Sequence, residues 1–162
     1  MITVRAEGFP PVYNAESELL ILGSFPSVKS RAVSFYYGNP QNRFWRMVCG
    51  FFGEEIPQDT QGKREFLLRN HIALWDVVTA CTIKGSSDAS ISEVTVADIP
   101  SVLNGSNVRE ILCNGGKAYE LLAEHFPWLV PMAKKLPSTS PANPRFAVGE
   151  WHAALKEVFG ER

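Results

Sequence analysis

The 162-residue chain has no Cys-x-x-Cys pair, no long apolar run, no internal repeat and almost no net charge. Each absence removes a class of protein. Its three cysteines, Cys49, Cys81 and Cys113, are far apart, odd in number and set among apolar residues. That excludes a zinc ribbon, an iron–sulfur cluster and a disulfide scaffold, and it predicts buried thiols in a reducing compartment. His71, His125 and His152 show no ligand spacing, so no metal and no cofactor is expected. No stretch approaches the roughly 20 apolar residues of a bilayer span, which leaves no reason to expect a membrane partner. The opening MITVRAEGFPPVYNAESE lacks the charged-then-apolar layout of a signal peptide, and a cytoplasmic protein is expected. The formal charge of −1 offers no bulk attraction to polyanions. A nucleic-acid binder of this composition has to gather its Lys and Arg locally. With no linker or low-complexity tract, residues 1–162 read as one domain, expected to act as a monomer.

What the chain does have is short aliphatic runs that stop at turn residues. Leu19 to Leu22 end at Gly23, which is the pattern of a buried strand in a parallel sheet. The same reasoning places strands at 71–77, ending near Asp76, at 109–114, stopping at Asn114-Gly115-Gly116, and at 133–136. Between them, apolar stripes at helical spacing predict helices over 42–52, 62–70, 96–103, 117–126 and 149–159. Residues 1–17 read as an irregular lead-in, since Pro10-Pro11 excludes a helix there. Residues 81–91, CTIKGSSDASI, read as a polar segment. Alternating strands and helices imply a three-layer α/β/α sandwich around a mostly parallel four-stranded sheet. In such a sheet ligands bind beyond the carboxyl ends of the strands. Those ends deliver Ser24-Phe25, Asp76, Asn114 and Ser138-Thr139-Ser140 to one region. A long loop after the first strand brings Lys29, Arg31, Phe35, Tyr36 and Tyr37, then GNPQNRFW from Gly38 to Trp45. Loops of that length inside a compact domain are usually functional.

Three segments carry a resemblance: GSFPS at 23–27, NPQNRFW at 39–45 and STSPAN at 138–143. In this order they resemble the uracil-DNA glycosylase superfamily, and most closely its hypoxanthine-DNA (deoxyinosine) glycosylase branch. GSFPS sits at the position of that superfamily's first motif, and STSPAN at its second, a loop that enters the minor groove. The resemblance spans about Leu19 to Phe146. It implies excision of a deaminated base from DNA by hydrolysis of the N-glycosidic bond, as a step of base excision repair, without cofactor or metal. The classical uracil enzymes carry a carboxylate or Asn inside the first motif to position water. Ser24-Phe25-Pro26 provides neither, and Ser138 stands where the second motif usually begins with His or Asn. The branch resembled is thought to use an Asn from the segment after the first motif, which points here to Asn42, with Asn39 as the nearby rival.

The residue types suit that chemistry. The transition state is a cationic sugar, and a carboxamide has both an acceptor to orient water and a donor for a base oxygen. The alternative for Asn42 is an ordinary helix N-cap, and for Asn39 a Gly-Asn-Pro turn. Gly23, Ser24, Phe25, Pro26, Tyr37, Asp76 and Asn114 form the expected base pocket, with Phe25 stacking on a flipped base. Backbone donors at Ser24 and Phe25 would favour the carbonyl of hypoxanthine or uracil over the amine of adenine. Phe25 has core packing as its plain alternative, and Asn114 a turn. Asp88 reads as a turn or helix cap, or as a residue that shapes the pocket. Ser138, Thr139, Ser140, Pro141, Ala142, Asn143 and Arg145, with Lys84, form the expected DNA-binding set, and Lys29, Arg31 and Arg43 lie in the same loops. Ala142 stands at the wedge position, with Asn143 or Phe146 to help fill the gap. Scattered surface charge is the alternative for the basic set. Three other readings stay open. They are a uracil or mismatch-uracil glycosylase, a non-catalytic binder of damaged DNA, and a hydrolase of free nucleosides.

Overall fold

The computed structural model describes residues 3–160. In chain order the elements are β1 (Thr3–Glu7), β2 (Leu19–Gly23), α1 (Val28–Val33), α2 (Phe44–Phe52), α3 (Thr60–Arg69), β3 (Ile72–Asp76), β4 (Val78–Lys84), β5 (Ser92–Val96), α4 (Ile99–Asn104), β6 (Glu110–Asn114), α5 (Gly116–His125), β7 (Ala133–Leu136) and α6 (Val148–Phe159). Short 3-10 turns occupy Asp88–Ser90 and Pro127–Met132.

The central sheet has the order β3-β2-β6-β7, and all its pairs are parallel. Every residue of β2 and β3 is buried, as strands covered on both faces must be. Helix α3 packs on β3, α5 packs on β6 and β7, and α2 packs on α6. The fold is the expected α/β/α sandwich. After β2 the chain lays β3 on one side, then crosses to lay β6 on the other. The direction of winding reverses at β2, which opens a crevice at its carboxyl end.

Three tryptophans pin the loops around that crevice. Their indole N–H groups donate to loop carbonyls: Trp45 to Tyr36 at 3.1 Å, Trp75 to Phe9 at 3.0 Å, and Trp151 to Pro137 at 2.8 Å. A buried indole needs such a partner, so each ring fills the core and fixes a loop together. Cys49, Cys81 and Cys113 are buried free thiols. Among the described residues no helix is long and apolar enough to cross a membrane.

Four expectations need correction. Residues 3–7 of the supposed lead-in are a strand, and residues 81–84 of the segment read as polar end another strand, while its centre from Gly85 to Asp88 is a turn. Strands β1, β4 and β5 form a second, antiparallel sheet in the order β1-β4-β5. Its outer strands are largely exposed, and the β4–β5 register shifts twice. A polar surface and a broken ladder hide the period-2 signal. The helix expected over 96–103 covers Ile99–Asn104, because Val96 ends β5 and Asp98 is the N-cap, accepting from the Ser101 N–H at 3.2 Å. Helix α1 lies inside the segment read as loop, with its N-cap Ser27 accepting from the Ser30 N–H at 3.1 Å.

Candidate active site

A cavity of about 260 Å³ lies at the carboxyl ends of β2, β3 and β6. Its floor is set by a residue without a side chain. A Cβ at Gly23 would collide with Asp76 Oδ1 and stand 3.1 Å from the Tyr37 hydroxyl. The cavity therefore exists between those two groups because position 23 is glycine.

Ser24, Phe25 and Pro26 line one wall. The β4–β5 turn holds that wall in place. Ser24 Oγ donates to Asp88 Oδ1 at 2.7 Å, the Val28 N–H donates to Ser86 Oγ at 2.9 Å, and Arg31 Nη2 donates to the Gly85 carbonyl at 2.8 Å. The Phe25 ring is 9% exposed, with the Arg31 guanidinium 5.5 Å from its centroid. Arg31 is thus committed to Gly85 and Phe25, which corrects its reading as a free phosphate-binding cation.

The loop after α1 supplies the opposite wall. Ser30 Oγ accepts from the Gly38 N–H at 3.0 Å and draws the loop back on itself. Tyr36 donates its hydroxyl to the Pro10 carbonyl at 2.8 Å. Tyr37 has φ 53°, a left-handed conformation that a bulky residue holds only under constraint. Its ring stacks on Phe44, centroids 4.2 Å apart. Its hydroxyl is buried without a hydrogen-bond partner, although the Asn114 carboxamide lies beside it. Burial, followed by the charge of Asp76, pushes the phenol well above its ordinary range.

Asp76 ends β3 at 4% exposure, and its Oδ2 has no hydrogen-bond partner. Burial, and then the nearby Asp88 charge, pushes its carboxyl up to about 7. Asp88 stands at the exposed rim. Loss of solvent on its cavity side raises it too, opposed by the Ser24 hydrogen bond and the Lys117 charge. Because the folded pKa of Asp76 lies above its unfolded value, ionisation opposes folding. The neutral form is fully stabilising below about pH 4, and that stability is lost as pH rises through about 7. Asp76→Asn is therefore expected to be more stable than wild type at pH 8, by up to about 4 kcal/mol at 1.36 kcal/mol per unit. The two should be nearly equal at pH 4. Denaturant titrations at both pH values check this; equal stabilities at pH 8 would contradict it.

Asn39 and Asn42 both line the cavity. Asn39 Oδ1 accepts from the Gln41 N–H at 3.0 Å, and its carbonyl accepts from the Asn42 N–H at 2.9 Å. Asn42 Oδ1 accepts from the Phe44 N–H at 2.9 Å. Asn42, one residue before the N-cap Arg43, thus holds the first N–H of α2 and faces the cavity in the same conformation. Its bond to an N–H identifies the oxygen, which keeps a second lone pair. Neither amide nitrogen has a protein partner among the described residues.

The rim opposite is the 138–142 loop, all five residues of which line the cavity. Asn114 clamps it from β6: Asn114 Nδ2 donates to Thr139 Oγ1 at 3.0 Å, and its Oδ1 accepts from the Thr139 N–H at 2.9 Å. Thr139 is fully buried. Its hydroxyl is turned inward, which corrects the expectation that it contacts phosphate. Both polar atoms of Asn114 are spent on this clamp. Arg43 donates to the Thr139, Ser140 and Asn143 carbonyls, the last at 2.8 Å, and covers the Phe146 ring at 4.6 Å. It is a strut for the loop, not the exposed cation expected. Asn143 is another brace, donating from Nδ2 to the Ser138 carbonyl at 2.9 Å and accepting from the Arg145 N–H at 3.0 Å. Asn143, Arg145 and Lys84 lie outside the cavity, and Arg145 and Lys84 are exposed.

Ser86 and Asp88 hold the pocket's loops, one of the two readings open for their turn, whereas Ser30 carried no signal in the sequence. The Gly85-Ser-Ser-Asp turn was visible, but its meeting with Ser24 depends on the unseen second sheet. Among the described residues no cluster of His, Cys, Asp or Glu is placed to hold a metal.

The chain is 38% identical to the hypoxanthine DNA glycosylase of Methanosarcina acetivorans over 157 residues, covering 92% of this chain and 97% of the relative. It is 37% identical to the hypoxanthine DNA glycosylase of Methanosarcina barkeri over 148 residues, covering 88% and 90%. A solution NMR structure of a candidate uracil DNA glycosylase from Methanosarcina acetivorans matches it with a TM-score of 0.81 and 37% identity, over 96% of this chain and 99% of that one. No family model matches the chain.

Proposed function

The chain belongs to the hypoxanthine DNA glycosylase family, and from that premise we propose that it removes hypoxanthine from deoxyinosine in DNA by hydrolysing the N-glycosidic bond. The observation that carries this reading is the cavity itself. One aromatic wall, Phe25, two carboxamides, Asn39 and Asn42, and the Ser-Pro loop meet in it.

A base inside a duplex cannot reach the cavity, so it swings out of the stack first. Phe25 supplies the surface it stacks on, worth about 1–3 kcal/mol for an aromatic platform. The free lone pair of Asn42 orients a water toward C1′. The anchoring of its side chain at the head of α2 supports Asn42 over Asn39 for this task. Water attacks directly; among the described residues no lysine lines the cavity to form a covalent intermediate. Backbone N–H groups of Ser24 and Phe25 face the O6 edge and accept hypoxanthine, while adenine would present a donor to a donor.

Ser138 and Ser140 contact the phosphates beside the flipped nucleotide, with Pro141 and Ala142 nearest the gap it leaves. Lys29, Lys84 and Arg145, all exposed, neutralise backbone charge. Arg145→Ala should weaken binding to damaged and undamaged duplex alike. It should reduce the slope of log affinity against log salt by about 0.9, one released counterion. An unchanged slope in fluorescence titrations would remove Arg145 from the interface. The protein acts as a single-domain monomer in the cytoplasm, with DNA as its partner.

Excision assays on duplexes carrying hypoxanthine, uracil, xanthine or a thymine mismatch test the reading. Hypoxanthine is expected to be cut fastest and uracil second; the candidate uracil DNA glycosylase structure favours keeping uracil in the set. Binding without cleavage of any lesion would make the chain a non-catalytic binder. Cleavage of free inosine without salt-sensitive DNA affinity would make it a nucleoside hydrolase.

A further inference from the structure

This inference rests on the reading of the cavity as a base pocket and assigns one more catalytic group within it. We propose that Asp76 is a general acid, whose neutral carboxyl gives its proton to the departing purine.

The geometry is that of an acid kept in reserve. Asp76 lines the cavity, is 96% buried, and has an oxygen without a hydrogen-bond partner. Among the described residues no cation is paired with it. The titratable groups that face it are Asp88 from the β4–β5 turn and the phenols of Tyr36 and Tyr37 from the loop after α1. Lys117, at the start of α5, acts on Asp88 instead. Asn114 on β6 is neutral and occupied with Thr139. Burial and the Asp88 charge thus disfavour a charge on Asp76, and an unpaired buried carboxylate would be costly. A neutral carboxyl has an O–H to donate, and Gly23 leaves the space above it open. The second carboxyl, Asp88, sits at the rim with a hydrogen-bond donor in Ser24.

The step balances. The C1′–N9 bond breaks with its electron pair left on N9, and the Asp76 proton passes to an acceptor atom on the ring edge. The base leaves neutral, not as an anion. Water forms the new C1′–O bond and releases its proton to solvent through the open mouth. Asp76 regains a proton from solvent.

Single-turnover excision by the full chain tests this, with wild type and Asp76→Asn on two duplexes. One carries deoxyinosine. The other carries 5-fluorodeoxyuridine, whose base departs readily as an anion and has little need of an acid. Asp76→Asn is expected to lose about 10²-fold or more on hypoxanthine, the scale of general acid catalysis. It should lose less than about fivefold on 5-fluorouracil. The wild-type rate on hypoxanthine should fall about tenfold per pH unit above neutrality, and the variant should lack this limb. Equal losses on both duplexes, or an alkaline limb that survives in Asp76→Asn, would overturn the assignment. If the variant does not fold, or if wild type cuts only the inosine duplex, the wild-type limb on hypoxanthine decides alone, and a flat profile overturns it. A wild-type chain that cuts neither duplex overturns the glycosylase reading and takes this assignment with it.

Discussion

Asn42→Ala should lower single-turnover excision of hypoxanthine by about 10²–10³-fold, the usual effect of losing one oriented hydrogen-bonding group at a reacting centre. Duplex affinity should change less than about twofold, since the proposed phosphate contacts lie on the 138–142 loop and on Lys29, Lys84 and Arg145. Asn42 also takes the first N–H of α2, that of Phe44, and so acts as a cap from one residue before the N-cap. Loss of that cap costs about 0.5–2 kcal/mol. Asn42→Asp separates the two duties. Aspartate caps a helix as well as asparagine, so stability should be retained. It lacks the amide donor and adds a negative charge, so excision should not return to the wild-type rate. If Asn42→Ala cuts at the wild-type rate and only its melting temperature falls, the cap is the whole role of Asn42. Asn39 would then be the group to test.

Gly23→Ala should abolish excision as completely, for a steric reason. The new methyl would meet Asp76 Oδ1 and approach the Tyr37 hydroxyl. Both groups are held by packing, Asp76 at the buried end of β3 and Tyr37 by its stack on Phe44. Overpacking of this kind costs about 1–3 kcal/mol of stability, so the variant should fold with a lowered melting temperature. Duplex binding should persist, because the positive charge lies outside the cavity. A fall of more than about 10²-fold in excision with binding intact is the expected result. Excision at more than a tenth of the wild-type rate would mean that the base does not descend between Asp76 and Tyr37.

The parts of the fold that were legible in the sequence are those with one buried environment along their length. Leu19–Gly23 and Ile72–Asp76 are buried at every residue, so an aliphatic run stopping at Gly or Asp was enough to find them. Their ends then pointed to the cavity, and Gly23, Phe25, Asp76, Asn114 and Ser138 do meet there. Strands β1 and β5 were not legible because they are five residues long, mostly exposed, and carry only two small or β-branched apolar residues each, too few to stand out as an alternation. Missing that sheet meant missing the turn that brings Asp88 to Ser24. Arginines were misread for a related reason. A guanidinium that turns inward to gather carbonyls looks, in a sequence, like one that turns outward to phosphate. Arg43 and Arg31 are both of the inward kind. Asn42 is not the N-cap offered as its alternative, since Arg43 holds that position, but one of its lone pairs still takes the first N–H of α2 and another remains.

The most direct measurement is a structure of the protein bound to a duplex containing a non-hydrolysable 2′-fluoro deoxyinosine. The account predicts hypoxanthine turned out of the helix, stacked on Phe25, with the Asn42 carboxamide one water away from C1′. A hypoxanthine left stacked in the duplex over an empty cavity, or an Asn42 side chain remote from the sugar, would contradict it.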